Sequence, residues 1–277
     1  MLPLEFGLIT AMSFAAGFVG ALLGLGGGII IVPALTLLFA KDMKTAIAAS
    51  LVSVIATSSS AATVYVHEKL TNIRLGMLLE IATTIGALVG GVIAIYIGNK
   101  YLYLLFAAVM LYAAWSMLRQ KETCMKAEGS EESVDARLNG EYVDPITGRT
   151  VAYTVKAVPV GMAGSFGAGV MSGLLGVGGG IVKVPLMNAA MKIPIRAAIA
   201  TSNFMIGVTA ASGALVFWMD GKVDPVVTAP CVIGVLLGAR IGTIAASHIR
   251  ARALKLAFVA FVLVTAYQMV VHGLRGG

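Results

Sequence analysis

Two cations interrupt otherwise apolar sequence: Lys183 in GIVKVP and Arg240 in GVLLGARIG. A charge at the centre of a lipid-facing helix costs roughly 3 kcal/mol, so both side chains are expected to face a protein interior. There a guanidinium gives paired bonds to an oxyanion and an ammonium acts as a point charge. The competing readings are a Lys183 stem that snorkels to the interface and an Arg240 bonded to backbone carbonyls. Two glycine clusters, Gly24-Leu25-Gly26-Gly27-Gly28 and Gly176-Val177-Gly178-Gly179-Gly180, offer a second anion-binding device. A helix restarting after Gly26, Gly27 and Gly28, or after Gly178, Gly179 and Gly180, presents free N–H groups and the positive end of its dipole. The same glycines also have the small-xxx-small spacing of close helix packing. Ser50, Ser202 and Asn203 add hydroxyls and an amide that can bond a desolvated oxyanion, while Ser53, Thr57, Ser58, Ser59, Ser60, Thr201, Thr209 and Ser212 read as interhelical glue. Glu80 is the candidate for a coupling proton, unless it reaches water or pairs with Arg74. No Ser/His/Asp set, paired carboxylates or metal-ligand cluster is present, so no catalytic residue, metal or cofactor is expected. The glycine clusters are not a dinucleotide fingerprint, because Ile29 and Ile181 stand where its last glycine belongs.

These residues sit in a duplicated frame. Gly20 to Pro33 reads GALLGLGGGIIIVP and Ser172 to Pro185 reads SGLLGVGGGIVKVP, with nine of fourteen positions identical at an offset of 152. The same offset aligns Ser50 with Ser202, Thr57 with Thr209, and Gly86 and Gly90 with Gly238 and Gly242. One offset across separate segments means duplication. Lys183 and Arg240 align with Ile31 and Leu88, and Glu80 has no acidic counterpart, so the charges belong to single copies of the unit.

Of 277 residues, 58% are hydrophobic and 12% charged, with a mean hydropathy of +0.93. A soluble domain cannot carry that composition without large exposed apolar patches. The chain is therefore expected to be an all-α integral membrane protein. Apolar runs matching a bilayer core of about 30 Å fall near Lys44 to Val66, Leu75 to Ile97, Leu102 to Leu118, Ala197 to Met219, Val226 to Ser247 and Ala253 to His272. Leu4 to Ala40 and Val158 to Met191 are too long for one span and are broken by the glycines. Each is expected to be a re-entrant pair of half-helices or two short crossings. Either returns the chain to its starting side, leaving three net crossings per half and two repeats of inverted topology.

Basic residues test that topology. It puts thirteen Lys and Arg on one side (Lys69, Arg74, Arg119, Lys121, Lys126, Arg137, Arg149, Lys156, Lys192, Arg196, Arg250, Arg252, Lys255) and five on the other (Lys41, Lys44, Lys100, Lys222, Arg275). A single crossing by each broken segment would divide them ten to eight. The expectation is thus a multi-pass protein of the plasma (inner) membrane with both termini outside. Residues 1–118 form the first repeat, 119–156 a cytoplasmic linker and 157–277 the second repeat.

The linker opens with a polar run, KETCMKAEGSEESVDAR. It continues as two strand-like segments around Asp144-Pro145-Ile146-Thr147-Gly148, which predicts a small β-hairpin. The net charge of +7 is spread over short loops beside spans, which fits headgroup contact and orientation and not nucleic acid. No signal peptide is expected, since the opening apolar stretch belongs to the repeat. Cys124 and Cys231 fall in different compartments and make no disulfide framework.

GLGGGIIIVP in one half, GVGGGIVKVP followed by RAAIATSNFMIGVTAASGA in the other, and GVLLGARIG near the end together resemble the sulfite exporter TauE/SafE family of membrane permeases. The resemblance extends over essentially the whole chain. It implies movement of small sulfur-containing anions, such as sulfite, sulfoacetate or other organosulfonates, often outward from the cytoplasm. On this reading the protein is a secondary transporter. Its substrate binds near the midplane between the repeats, a proton is a possible coupling partner, and oligomers are possible. The alternatives are an anion channel lined by the same groups, and a membrane enzyme or sensor using the hairpin as output.

Overall fold

The computed structural model describes residues 3–119, 138–143, 150–245 and 251–274, without side chains at 3, 117–119 and 251–258. The polar run from Lys121 to Arg137 with Cys124, the hairpin turn at Asp144 to Gly148, and His248 lie outside the described residues.

In chain order the helices are α1 (Pro3–Leu23), α2 (Gly28–Leu37), α3 (Met43–His67), α4 (Ile73–Tyr96) and α5 (Asn99–Arg119). After β1 (Gly140–Val143) and β2 (Thr150–Tyr153) come α6 (Val158–Leu175), α7 (Gly180–Ala189), α8 (Ile195–Met219), α9 (Pro225–Ala245) and α10 (Ala251–Leu274). Among the described residues, six stretches are long and apolar enough to cross a membrane: Leu4–Leu23, Met43–His67, Ile73–Tyr96, Val158–Leu175, Ile195–Met219 and Pro225–Ala245. Helices also form where spans are expected at Leu102 to Leu118 and Ala253 to His272.

The glycine-broken segments differ from both forms expected of them. Each is an unequal pair: α1 (21 residues) or α6 (18 residues) is long enough to cross alone, while α2 and α7 have 10 residues each. At 1.5 Å per residue the short partners cover about half of the hydrocarbon thickness. The long helices run on, through several internal glycines, to the residue before the first glycine of each cluster. There the chain turns through left-handed backbone, with φ of 76° and 73° at Gly27 and Gly179, which residues bearing a Cβ adopt only with strain. The starts of α3 and α4 carry ordinary side-chain caps. The Asp42 carboxylate accepts from the Lys44 and Thr45 amides at the start of α3, and the Asn72 side chain accepts from the Leu75 amide at the start of α4.

The packing repeats with the duplication. α1 lies along α9 and α6 along α4; α3 crosses α8, and α5 packs on α10. Direction follows from the contacting residues. Cβ atoms added at Gly234, Gly238 and Gly242 would meet Thr10, Phe14 and Phe18 in turn, so α1 and α9 run parallel. Gly169 against Thr83 and Gly173 against Ala87 make α6 and α4 parallel as well. Ser58 faces Asn203 and Gly207 while Leu51 faces Gly213, so α3 and α8 are antiparallel. Tyr103 stacks on His272 and Thr265 contacts Met110, so α5 and α10 are antiparallel too. Consequently α1 begins and α2 ends at one end of the molecule, while α6 begins and α7 ends at the other.

Between apolar helices in lipid, close backbone approach replaces the hydrophobic driving force. Gly86 and Gly90 on α4 admit the α6 backbone, and Gly238 and Gly242 on α9 admit that of α1. The opposite face of α4 exposes Met77, Ile81, Ile85 and Val92, spaced as one helix face.

The hairpin pairs Gly140 with Tyr153 and Val143 with Thr150, antiparallel. It sits where α4 starts and α7 ends. The Asn72 amide donates to the Leu138 carbonyl and the Tyr153 hydroxyl, and the Lys156 amide donates to the Met191 carbonyl.

Candidate functional site

The two glycine breaks meet at the centre of the molecule, at mid-length of α3 and α8. Cβ atoms on Gly26 and Gly178 would both touch the side chains of Val54 and Ile206, which are register partners in the repeat. Each break also reaches across to the other. A Cβ on Gly28 would run into the Gly176 carbonyl oxygen, and one on Gly180 into the Gly24 carbonyl oxygen, closer than side chains approach backbone. The N-termini of α2 and α7 are thus brought together, each facing a carbonyl of the opposite repeat. Among the described residues, the amides of Gly28, Ile29, Gly180 and Ile181 have no hydrogen-bond acceptor. These are the orphan donors that a helix start leaves over.

Ser50 and Ser202 hold the crossing. The Ser50 hydroxyl donates to the Gly176 carbonyl at 2.7 Å, and the Ser202 hydroxyl donates to the Gly24 carbonyl at 3.3 Å. Both are buried, on register-equivalent turns of α3 and α8. Asn203 is buried beside them; its amide donates to the Ala21 carbonyl at 3.3 Å, and its Oδ1 is buried without a partner. An unpartnered buried acceptor costs about 1–3 kcal/mol and calls for an explanation in function or packing.

Lys183 lies in the first turn of α7, one turn from the break, and is 1% exposed. Its ammonium donates to the Thr209 hydroxyl at 2.8 Å, and that hydroxyl donates to Glu80 Oε1 at 2.7 Å. Thr84 also donates to Oε1, at 3.3 Å. The ammonium is 3.6 Å from Glu80 Oε2, an atom that is buried and has no hydrogen bond. Three elements, α4, α7 and α8, therefore converge on one ion pair that bridges the repeats. At the register-equivalent positions stand Val232 for Glu80, Ile31 for Lys183 and Thr57 for Thr209, so only one of the two related places is charged.

Sequence reasoning singled out both charges, but offered Glu80 as a coupling residue, or as a group that reaches water or pairs with Arg74, and read Thr209 as glue. Both lack a charged counterpart in the other copy, as two members of a pair must when only one copy has it, and the sequence reading noted this for Glu80 and Lys183 without joining the two. Arg240, expected inside, is instead exposed on α9 among Leu236, Leu237, Ile241 and Ile244. It occupies the position of the outward-facing Leu88, and it lies five residues from the end of α9, within reach of the interface for a long side chain. The structure does not bring it to the glycine breaks.

A family model described as "Sulfite exporter TauE/SafE" matches residues 9–269. Similar chains include the "Probable membrane transporter protein YunE" of Bacillus subtilis (strain 168), 28% identical over 247 residues that cover 86% of this chain and 88% of the relative. Another from the same organism, "Probable membrane transporter protein YdhB", is 25% identical over 85% of this chain and 88% of its own length. The "Probable membrane transporter protein MJ0441" of Methanocaldococcus jannaschii is 27% identical over 74% and 70% of the two chains. No solved structure matches the chain.

Proposed function

From the chain's membership of the sulfite exporter TauE/SafE family, we propose that it is a secondary transporter that carries small sulfur-containing anions, such as sulfite, sulfoacetate or other organosulfonates, out of the cell. The family makes it a multi-pass membrane transporter and not an enzyme. The observation that carries the finer reading is the meeting of the two glycine breaks, with two half-helix N-termini at one central place. Orphan amides and helix dipoles favour an anion there. Ser50, Ser202 and Asn203 supply hydrogen bonds, and Lys183 supplies the charge.

The repeats are inverted on this reading. Antiparallel α3 and α8 support it, because a single crossing by each broken segment would make those helices parallel. The end carrying the hairpin, Lys69, Arg74, Lys192 and Arg196 is the cytoplasmic one by the distribution of basic residues, which puts both termini outside. With the breaks in contact across Gly28 and Gly180, no anion fits between them. Passage requires one repeat to rock away from the other, as alternating access demands.

Proteoliposomes test the proposal. Labelled sulfite and sulfoacetate are expected to exchange with saturable kinetics, well above empty vesicles, while chloride does not compete. Flux of neither anion would refute the substrate class, and large unitary currents would point to a channel. Repeating the assay with and without a pH gradient tests whether Glu80 carries a proton with the anion.

A further inference from the structure

A lysine in the first turn of α7 adds a positive charge to the positive end of a helix dipole, an arrangement that is unfavourable unless an anion compensates it. Glu80 provides that anion, but incompletely. Oε1 is bonded by Thr209 and Thr84, whereas Oε2 faces the ammonium at 3.6 Å with no hydrogen bond. The ammonium has three donors, and Thr209 takes one of them. A buried pair built for stability satisfies its remaining lone pairs and protons, because desolvation otherwise outweighs the attraction. This one leaves donors on Lys183 and an acceptor on Glu80 unused, at a place that Ile31 and Val232 fill with hydrocarbon in the related half.

We infer that Glu80 is a tethered stand-in for the transported anion: its carboxylate holds Lys183 while the site is empty, and an arriving oxyanion takes its place on the ammonium. The inference rests on the transporter reading above and adds to it a competition between substrate and an internal carboxylate. A tetrahedral or pyramidal oxyanion has three or more acceptor oxygens and can bond the free Lys183 donors together with the adjacent orphan amides of Gly180 and Ile181. One carboxylate fixed to α4 cannot do both. The competition lowers affinity, and so keeps the anion from being trapped at a cation buried next to a helix start. It also leaves Lys183 compensated when the carrier resets without cargo.

Titration of the purified full-length protein with sulfite, and separately with sulfoacetate, decides the matter. Glu80→Gln keeps an acceptor for Thr209 but removes the competing charge, and should tighten binding about tenfold, as losing one charge-assisted bond implies. Glu80→Asp keeps the charge but draws it back by one methylene, and should tighten binding about threefold. Ligand-induced thermal shifts should grow in the same order at fixed anion concentration. If the wild type binds and both variants bind equally or more weakly, the stand-in is refuted and the transporter reading survives. If neither the wild type nor any variant binds either anion, the reading beneath it falls as well. Should Glu80→Gln fail to fold, the Glu80→Asp titration alone decides between these outcomes.

Discussion

Gly28→Ala and Gly180→Ala are each expected to reduce sulfite flux to the level of empty vesicles. The added methyl group would run into the carbonyl oxygen of Gly176 or Gly24, and on Gly28 it would also lie 2.7 Å from Ser50 Oγ. Backbone cannot swing aside as a flexible side chain does, so the breaks must separate, at a cost of about 1–3 kcal/mol per site. The methyl group would also cover the amides proposed to bind the anion. Gly167→Ala is the matched control, since nothing lies within 4 Å of a Cβ there and alanine favours the helix. It should leave both flux and melting temperature at or above the wild-type values. Folded Gly28→Ala protein with wild-type flux would remove the breaks from the transport path.

Lys183→Met should have an effect of the same size, through charge. With the ammonium gone, Glu80 is left in a buried site without its counter-ion, and breaking such a pair from one side costs about 3–5 kcal/mol. Loss of flux in the single variant is therefore ambiguous, and the double variant resolves it. Lys183→Met with Glu80→Gln replaces the pair by neutral side chains of similar volume and should regain most of the lost stability, read from thermal unfolding. Flux should stay at background, because the cation proposed to bind the anion is still missing. Restored flux in the double variant would make Lys183 a structural residue only.

Much of this architecture is legible in the order of residues. The 152-residue offset announces two copies, and the apolar run lengths announce most of the helices. Ser202 and Asn203 stand out in the sequence as polar groups in an apolar run, and the structure sets them against the carbonyls of Gly24 and Ala21. What the hydroxyls bond to was not legible, since Ser50 reaches a carbonyl 126 positions away. The unequal lengths of the broken pairs were missed because hydropathy averages over a window and does not locate the residue at which a helix stops. Arg240 shows a signal that was present and not used. Gly238 and Gly242 mark the face of α9 that admits α1, and at about 100° per residue a position two steps from each faces the other way. The Glu80–Lys183 pair needed the fold, because 103 positions separate its members and only the convergence of α4, α7 and α8 joins them.

The most direct test is to see where the anion sits. Selenite has the shape and charge of sulfite and a strong anomalous signal, so a crystal of the full-length protein grown with it locates the site at the selenium edge. A single peak is expected inside the molecule between the starts of α2 and α7, with oxygens bonded by Lys183 and the nearby amides and Glu80 displaced. A peak elsewhere, beside Arg240 on the outer face of α9 or at the hairpin, with the glycine breaks still in contact, would contradict that expectation.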